Sequence, residues 1–295
     1  MFSGPWPNRF GALSPGALSS AAVSSKVFRV GMTWIYLFRW GVYTAVVLNA
    51  VYYFYLDVQS TLILGPGLPL IDWLGSFSTT IDYVGWLLLV GLFQLQKGLS
   101  EKEPIKRGKV WAFGLSTAMA FLCLGLALYL YVLDFGYYDH YTAYPADRVC
   151  AESEAPLYFL NQDQIYEAVT TQNCGALAAG TVLAHSTDGS LIEEQNRVVG
   201  AHLALVNVFN AIAWLALVLV FQLDLVIQRA RPDWQKALEW CNRGKVFFYV
   251  VLFANAIYWF WYGTWVDAWD AFLWIFAFLA LELVSSEEEP EEEEA

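Results

Sequence analysis

Three stretches of this 295-residue chain, 110 to 133, 203 to 223 and 246 to 266, contain not a single charged residue. A helix needs about 20 apolar residues to cross the hydrocarbon core of a bilayer, where the backbone must satisfy its own hydrogen bonds. The runs therefore read as membrane spans. Composition points the same way, with 58% hydrophobic, 17% aromatic and 15% charged residues, whereas about a quarter of an ordinary soluble domain is charged. The net charge is -12, but seven of the 28 acids fall between 287 and 294. No basic excess remains to attract nucleic acid.

Three weaker spans complete the reading. Residues 36 to 56 carry Arg39 at their start, 79 to 96 carry Asp82 near theirs, and 265 to 285 contain Asp267, Asp270 and Glu282. The expected fold is all-α: a polytopic membrane protein of six transmembrane helices, arranged as three tandem helical hairpins with a small disulfide-linked outer loop. Its segments are an N-terminal arm over 1–35, spans one to three over 36–134, an acidic loop over 135–199, spans four to six over 200–285, and a tail over 286–295.

Basic residues orient such a bundle, because cytoplasmic loops near span ends carry the excess of Lys and Arg. The segment 96 to 109 holds Lys97, Lys102, Lys106, Arg107 and Lys109, and 225 to 245 holds Arg229, Arg231, Lys236, Arg243 and Lys245. The loops between them hold only Arg148 and Arg197. Both termini then face the cytoplasm. No cleavable signal peptide is visible in the first 30 residues. A bacterial inner membrane is the leading location; the acid-free, Ser- and Ala-rich arm keeps a mitochondrial inner membrane as the alternative.

The spans also resemble one another. Span two reads Asp82-x-x-x-Trp86 followed by Phe93-Gln94-Leu95, and span four reads Asn210-x-x-x-Trp214 followed by Phe221-Gln222-Leu223; seven of the ten positions from Trp to Leu are identical. Span six repeats the intervals with Asp270, Trp274, Glu282 and Leu283. Among the odd spans, Asn49-Ala50 and Tyr52 to Tyr55 align with Asn255-Ala256 and Tyr258 to Trp261. Repeats of hairpins crossing in one direction suggest a pseudo-threefold bundle, unlike the inverted repeats of many transporters.

Asp82, Gln94, Asn210, Gln222, Asp270 and Glu282 are accordingly the candidate pathway or packing positions. On a helix the Asp/Asn and Trp positions lie about 40° apart, while the Gln/Glu twelve residues further is displaced by about 120°. Two readings follow. Either polar rings mark the mouths of a central pathway, or the residues make interhelical hydrogen bonds worth about 0.6 kcal/mol each. The second is favoured, since no Lys, Arg or His lies at mid-membrane and the carboxylates sit shallow.

Other signals are weaker. His140, His185 and His202 show no metal-ligand spacing and read as solvated loop residues; no metal or other cofactor is expected. No catalytic motif occurs, so the chain is expected not to be an enzyme. Cys150 and Cys174 share the outer loop, where an oxidising compartment permits a disulfide, while Cys123 and Cys241 stay reduced. Within that loop a helix is expected near 155 to 170. Trp234, Ala237, Leu238 and Cys241 fall at helical spacing and predict a short surface helix joining spans four and five. The glutamate tail is expected to be disordered by self-repulsion. The sequence thus favours a non-enzymatic structural or accessory membrane subunit, with a channel or transporter for ions or a small solute as the alternative. Its surroundings are the lipid bilayer, with protein partners or a homo-oligomer left open.

Overall fold

The computed structural model describes residues 15–64, 69–100, 107–151, 157–161, 164–231 and 233–287. Long helices dominate: α1 (Pro15–Leu64), α3 (Ser78–Ser100), α4 (Arg107–Tyr137), α7 (Glu194–Ala230), α8 (Gln235–Tyr262) and α9 (Trp265–Glu287), with a short α2 (Leu70–Gly75) leading into α3. Between α4 and α7 lie β1 (Tyr141–Ala143), α5 (Ala146–Val149), β2 (Tyr158–Leu160), β3 (Tyr166–Ala168), α6 (Cys174–Ala178), β4 (Val182–His185) and β5 (Leu191–Glu193).

Among the described residues, five helices are long and apolar enough to cross a membrane: Leu37–Ile63, Ser78–Leu95, Trp111–His140, Glu194–Gln228 and Gln235–Tyr262. By length and composition the chain has the helices of a multi-pass membrane protein. The sixth expected span forms α9, a helix of 23 residues, but it is not one of these five. Asp267 and Asp270 in its first two turns both line a cavity. Outward faces of the long helices carry large apolar side chains such as Leu115 (70% exposed) and Trp261 (72%), a distribution suited to a lipid surround.

Two compact units make up the chain. One comprises Val46–Ile275, and the other takes in Met1–Ala45 with Phe276–Ala295. Within the second, Phe38 meets Phe276 edge to face with centroids 6.3 Å apart. Within the first, the most extensive helix contacts are α3 on α4, α7 on α8 and α4 on α7. The α3–α4 seam is tight at Gly85, where a Cβ would stand 2.7 Å from the Leu124 side chain.

The fold departs from the all-α expectation in the outer loop. Five short strands form one sheet in the order β1-β4-β5-β2-β3, antiparallel except for the β2–β5 pair. Alternation along these strands serves two cores. Phe159, Val182, Ala184 and Leu191 pack on one face with Val149, Cys174 and Leu177. Leu160, Leu183 and Ile192 pack on the other with Tyr138 and Ala204, at the ends of the helices. The helix expected near 155 to 170 is instead the β2–β3 hairpin, with Gln164 at φ 61° in its turn. Three-residue strands are too short for a period-2 pattern to declare itself in sequence.

Cys150 and Cys174 form the expected disulfide, with Cα atoms 5.2 Å apart, tying α5 to α6. His185 is not solvated as expected: it is buried and stacks on Tyr137 at 3.7 Å. The short surface helix expected after span four is also absent. Residues from Gln235 run on without a break into α8, because Lys245 pairs inward with Asp224 and nothing after Cys241 stops the helix. Span one likewise outruns its expected end at 56, continuing through Asp57, Gln59 and Ser60, which face the cavity rather than water. The glutamates 288–294 and residues 1–14 lie outside the described residues.

Candidate functional site

The ends of α1, α3, α7, α8 and α9 nearest the sheet surround a cavity of about 640 Å³, and Gln164, Ile165 and Tyr166 from the β2–β3 hairpin line it as well. Three of the candidate positions meet here. Asp82 from α3, Asn210 from α7 and Asp270 from α9 all line the cavity, and so do Trp86, Trp214 and Trp274, one helical turn further along. The tryptophans touch: Trp86 lies 5.6 Å from Trp214 and 6.2 Å from Trp274, centroid to centroid. The aromatic band extends through Tyr83, 5.6 Å from Trp274, to Tyr53, 5.6 Å from Tyr83.

Gln94 and Gln222 are half-buried at the other ends of their helices and do not line this cavity. The 120° displacement from the Asp/Asn face accounts for that. The side chain of Glu282 lies outside the described residues.

Four carboxylates line the cavity, Asp57, Asp82, Asp267 and Asp270, and no Lys, Arg or His is among its lining residues. Each carboxylate is held by neutral donors. Asp57 accepts from the Thr80 hydroxyl at 2.6 Å and the Thr80 N–H at 3.0 Å. The Trp86 indole donates to Asp82 at 3.2 Å. Asp267 accepts from Tyr53 at 2.8 Å and from the Thr264 hydroxyl at 2.7 Å. Asp270 accepts from the Asn49 amide at 2.8 Å and from the Tyr83 hydroxyl. Hydrogen bonds thus orient the acids, and none of these donors is a cation.

Asn49, Tyr53, Asp57 and Tyr83 were not among the sequence candidates. Asn49 carried a signal, since it opens the aligned Asn-Ala motif of the odd spans. Its counterpart Asn255 has a buried Nδ2 without a hydrogen-bond partner. Asp57 gave less warning, falling where an apolar run ends.

Above the cavity a second polar cluster stabilises the sheet. The Tyr137 hydroxyl donates to Asp188 at 2.6 Å, the Ser190 N–H donates to the same carboxylate at 2.8 Å, and His185 Nδ1 lies 3.4 Å away. Burial alone would raise the Asp188 carboxyl, but these hydrogen bonds outweigh it and hold the group well below the usual range. Burial pushes the Tyr166 hydroxyl up, so the roof of the cavity stays neutral at physiological pH. Among the described residues, no group of three or more His, Cys, Asp or Glu side chains is placed to hold a metal ion. No protein family matches the chain, and neither does any curated protein or solved structure.

Proposed function

We propose that the protein is a non-enzymatic, multi-pass membrane protein that binds a positively charged solute in this cavity, as a carrier or channel does. The observation that carries the reading is a concave site with four carboxylates and no cationic side chain among its lining residues. Unpaired negative charge between apolar helices is costly and marks ion and substrate paths more often than packing. A structural or accessory subunit, the other reading, needs interhelical hydrogen bonds but no cavity, and it would be better served by amides than by four acids. The repeat among the even spans belongs to this proposal, since the residues it makes equivalent, Trp86, Trp214 and Trp274, are mutual neighbours or share one. The basic residues around the α3–α4 and α7–α8 junctions support a cytoplasmic (or, in a mitochondrial inner membrane, matrix) side at those ends, and on this reading the cavity opens toward the outer side.

Charge-selective cysteine labelling tests the proposal. With Cys123 and Cys241 replaced by Ala, Asn210→Cys is exposed in membranes to a cationic and to an anionic methanethiosulfonate reagent of similar size. An acidic cleft concentrates cations, so the cationic reagent reacts faster by about tenfold or more. Equal rates with both reagents mean a wet cleft that does not select cations and overturn the cation reading; no reaction with either leaves a dry packing interface and returns the protein to the structural class.

A further inference from the structure

We infer that the solute is an organic ammonium ion rather than a metal ion. The inference rests on the cation-binding reading above and narrows it. Volume is the first argument: 640 Å³ is in the range of about 300 to 1,000 Å³ typical of pockets for organic ligands, and far larger than a bare cation.

The donor chemistry is the second. Ca²⁺ and Mg²⁺ need six or more oxygens drawn to between about 2.0 and 2.6 Å. Here each acid is turned toward hydroxyl, amide or indole donors of its own, and no three ligating side chains converge among the described residues. Carboxylates already bonded to neutral donors around a space of this size suit a charge that is itself spread over an alkylated nitrogen.

The third argument is the wall. Ten aromatic residues line the cavity, with tryptophan, the strongest cation–π partner, at its deepest level in three helices. Asp82 precedes Trp86 by four residues and Asp270 precedes Trp274 by four, so each of these indoles has a carboxylate one turn nearer the mouth. The Trp86 indole meets Asp82 through its N–H edge, so an ammonium head in the cavity lies against the faces of these rings with the neighbouring carboxylates as counter-ions. The third wall, Asn210 above Trp214, offers an amide in place of the charge.

Full-length protein in lipid nanodiscs, titrated with choline and tetraethylammonium as probes, tests this by calorimetry and thermal shift. The neutral isostere 3,3-dimethyl-1-butanol, sodium chloride and calcium chloride are the comparisons. Both ammonium probes are expected to bind and to raise the melting temperature, the isostere and the salts at equal ionic strength to do neither. Asp270→Asn and Trp86→Leu should each weaken binding by about tenfold, with Trp86→Phe recovering most of it. Asn210→Asp, which adds a third deep carboxylate, should tighten binding and keeps the test sharp if a loss variant fails to fold. Binding of calcium or sodium alone overturns the ammonium assignment while leaving a cation site. Equal binding of the isostere, or ammonium binding untouched by all of the substitutions, also overturns it. Binding of no cation at all overturns both this inference and the function proposed above.

Discussion

The Asn49 amide donates to Asp270 Oδ1 at 2.8 Å, joining α1 to α9 across 221 residues of chain. Its other hydrogen reaches the Tyr83 hydroxyl of α3 at 3.0 Å, and Tyr83 itself donates to Asp270. Three helices thus close around one carboxylate. Asn49→Leu, similar in volume, removes two of these bonds and leaves a buried acid short of a donor, at a cost of about 1–3 kcal/mol. Unfolding of the detergent-solubilised protein should show that loss. Combined with Asp270→Leu, the loss should fall short of the sum of the two single changes, because both act on one network.

Asp224 of α7 and Lys245 of α8 form an ion pair at 2.5 Å, with side chains only 11% and 15% exposed between them. Removing one partner strands a charge away from water, which typically costs about 3–5 kcal/mol. Asp224→Leu and Lys245→Leu are each expected to lower stability by an amount of that order. The double change Asp224→Leu with Lys245→Leu should be close to neutral. Additive losses in denaturant titrations would show that the pair is solvated.

The disulfide closes a loop of sequence separation 24 and holds α5 and α6 over one face of the sheet. Replacing Cys150 and Cys174 by Ser should destabilise this outer subdomain by about 3 kcal/mol. Protease cleavage is then expected to appear between residues 141 and 193, with the long helices still protected. Cleavage unchanged by reduction would mean that the sheet is held by its two apolar cores alone.

Acid should loosen the same subdomain through Asp188. Its carboxyl is depressed in the folded protein relative to the ordinary value of 3.8, so its contribution is complete above that value and is lost as pH falls below it. Asp188→Asn is expected to cost about 1–3 kcal/mol at pH 7 and progressively less below pH 4. Hydrogen exchange of Ser190 and its neighbours, measured against pH, should show the two proteins converging in acid. Parallel profiles would remove Asp188 from the account.

How much of this was legible beforehand follows from the strength of each constraint. Lipid forbids unsatisfied backbone and unpaired charge, so charge-free runs such as 110 to 133 announce helices directly. Spacing within those helices singled out Asp82, Asn210 and Asp270, which the fold places around one cavity, but it said nothing of Asp57 or Tyr83. Their roles come from neighbours more than 20 residues away, at Thr80 and Asp270. The Asp224–Lys245 pair was hidden for the same reason. The sheet was illegible because its strands are only three or four residues long, and their register depends on Leu191 and Ile192 dividing between two cores. Polar residues at the end of α1 misled for the opposite reason. They read as a loop when water is assumed outside, and as a helix once an internal cavity is there to receive them.

Gly200 is the point where α7 passes Tyr138. A Cβ at this position would stand 2.6 Å from the Tyr138 ring and 2.8 Å from Gln164 Oε1. The ring has no room to yield, being buried among Leu160, Ile192 and Ala204 and tethered through its hydroxyl to Gln164 at 2.7 Å. Gly200→Ala should therefore overpack the joint between helices and sheet at a cost of about 1–3 kcal/mol. Gly114→Ala, in α4 with open space where the methyl would go, should stabilise or be neutral, since Ala is the better helix former. Adding Tyr138→Leu to Gly200→Ala should recover part of the loss by making room. A melting temperature that falls equally for both alanine variants would show that chain flexibility, and not the Tyr138 contact, sets the requirement for glycine at 200.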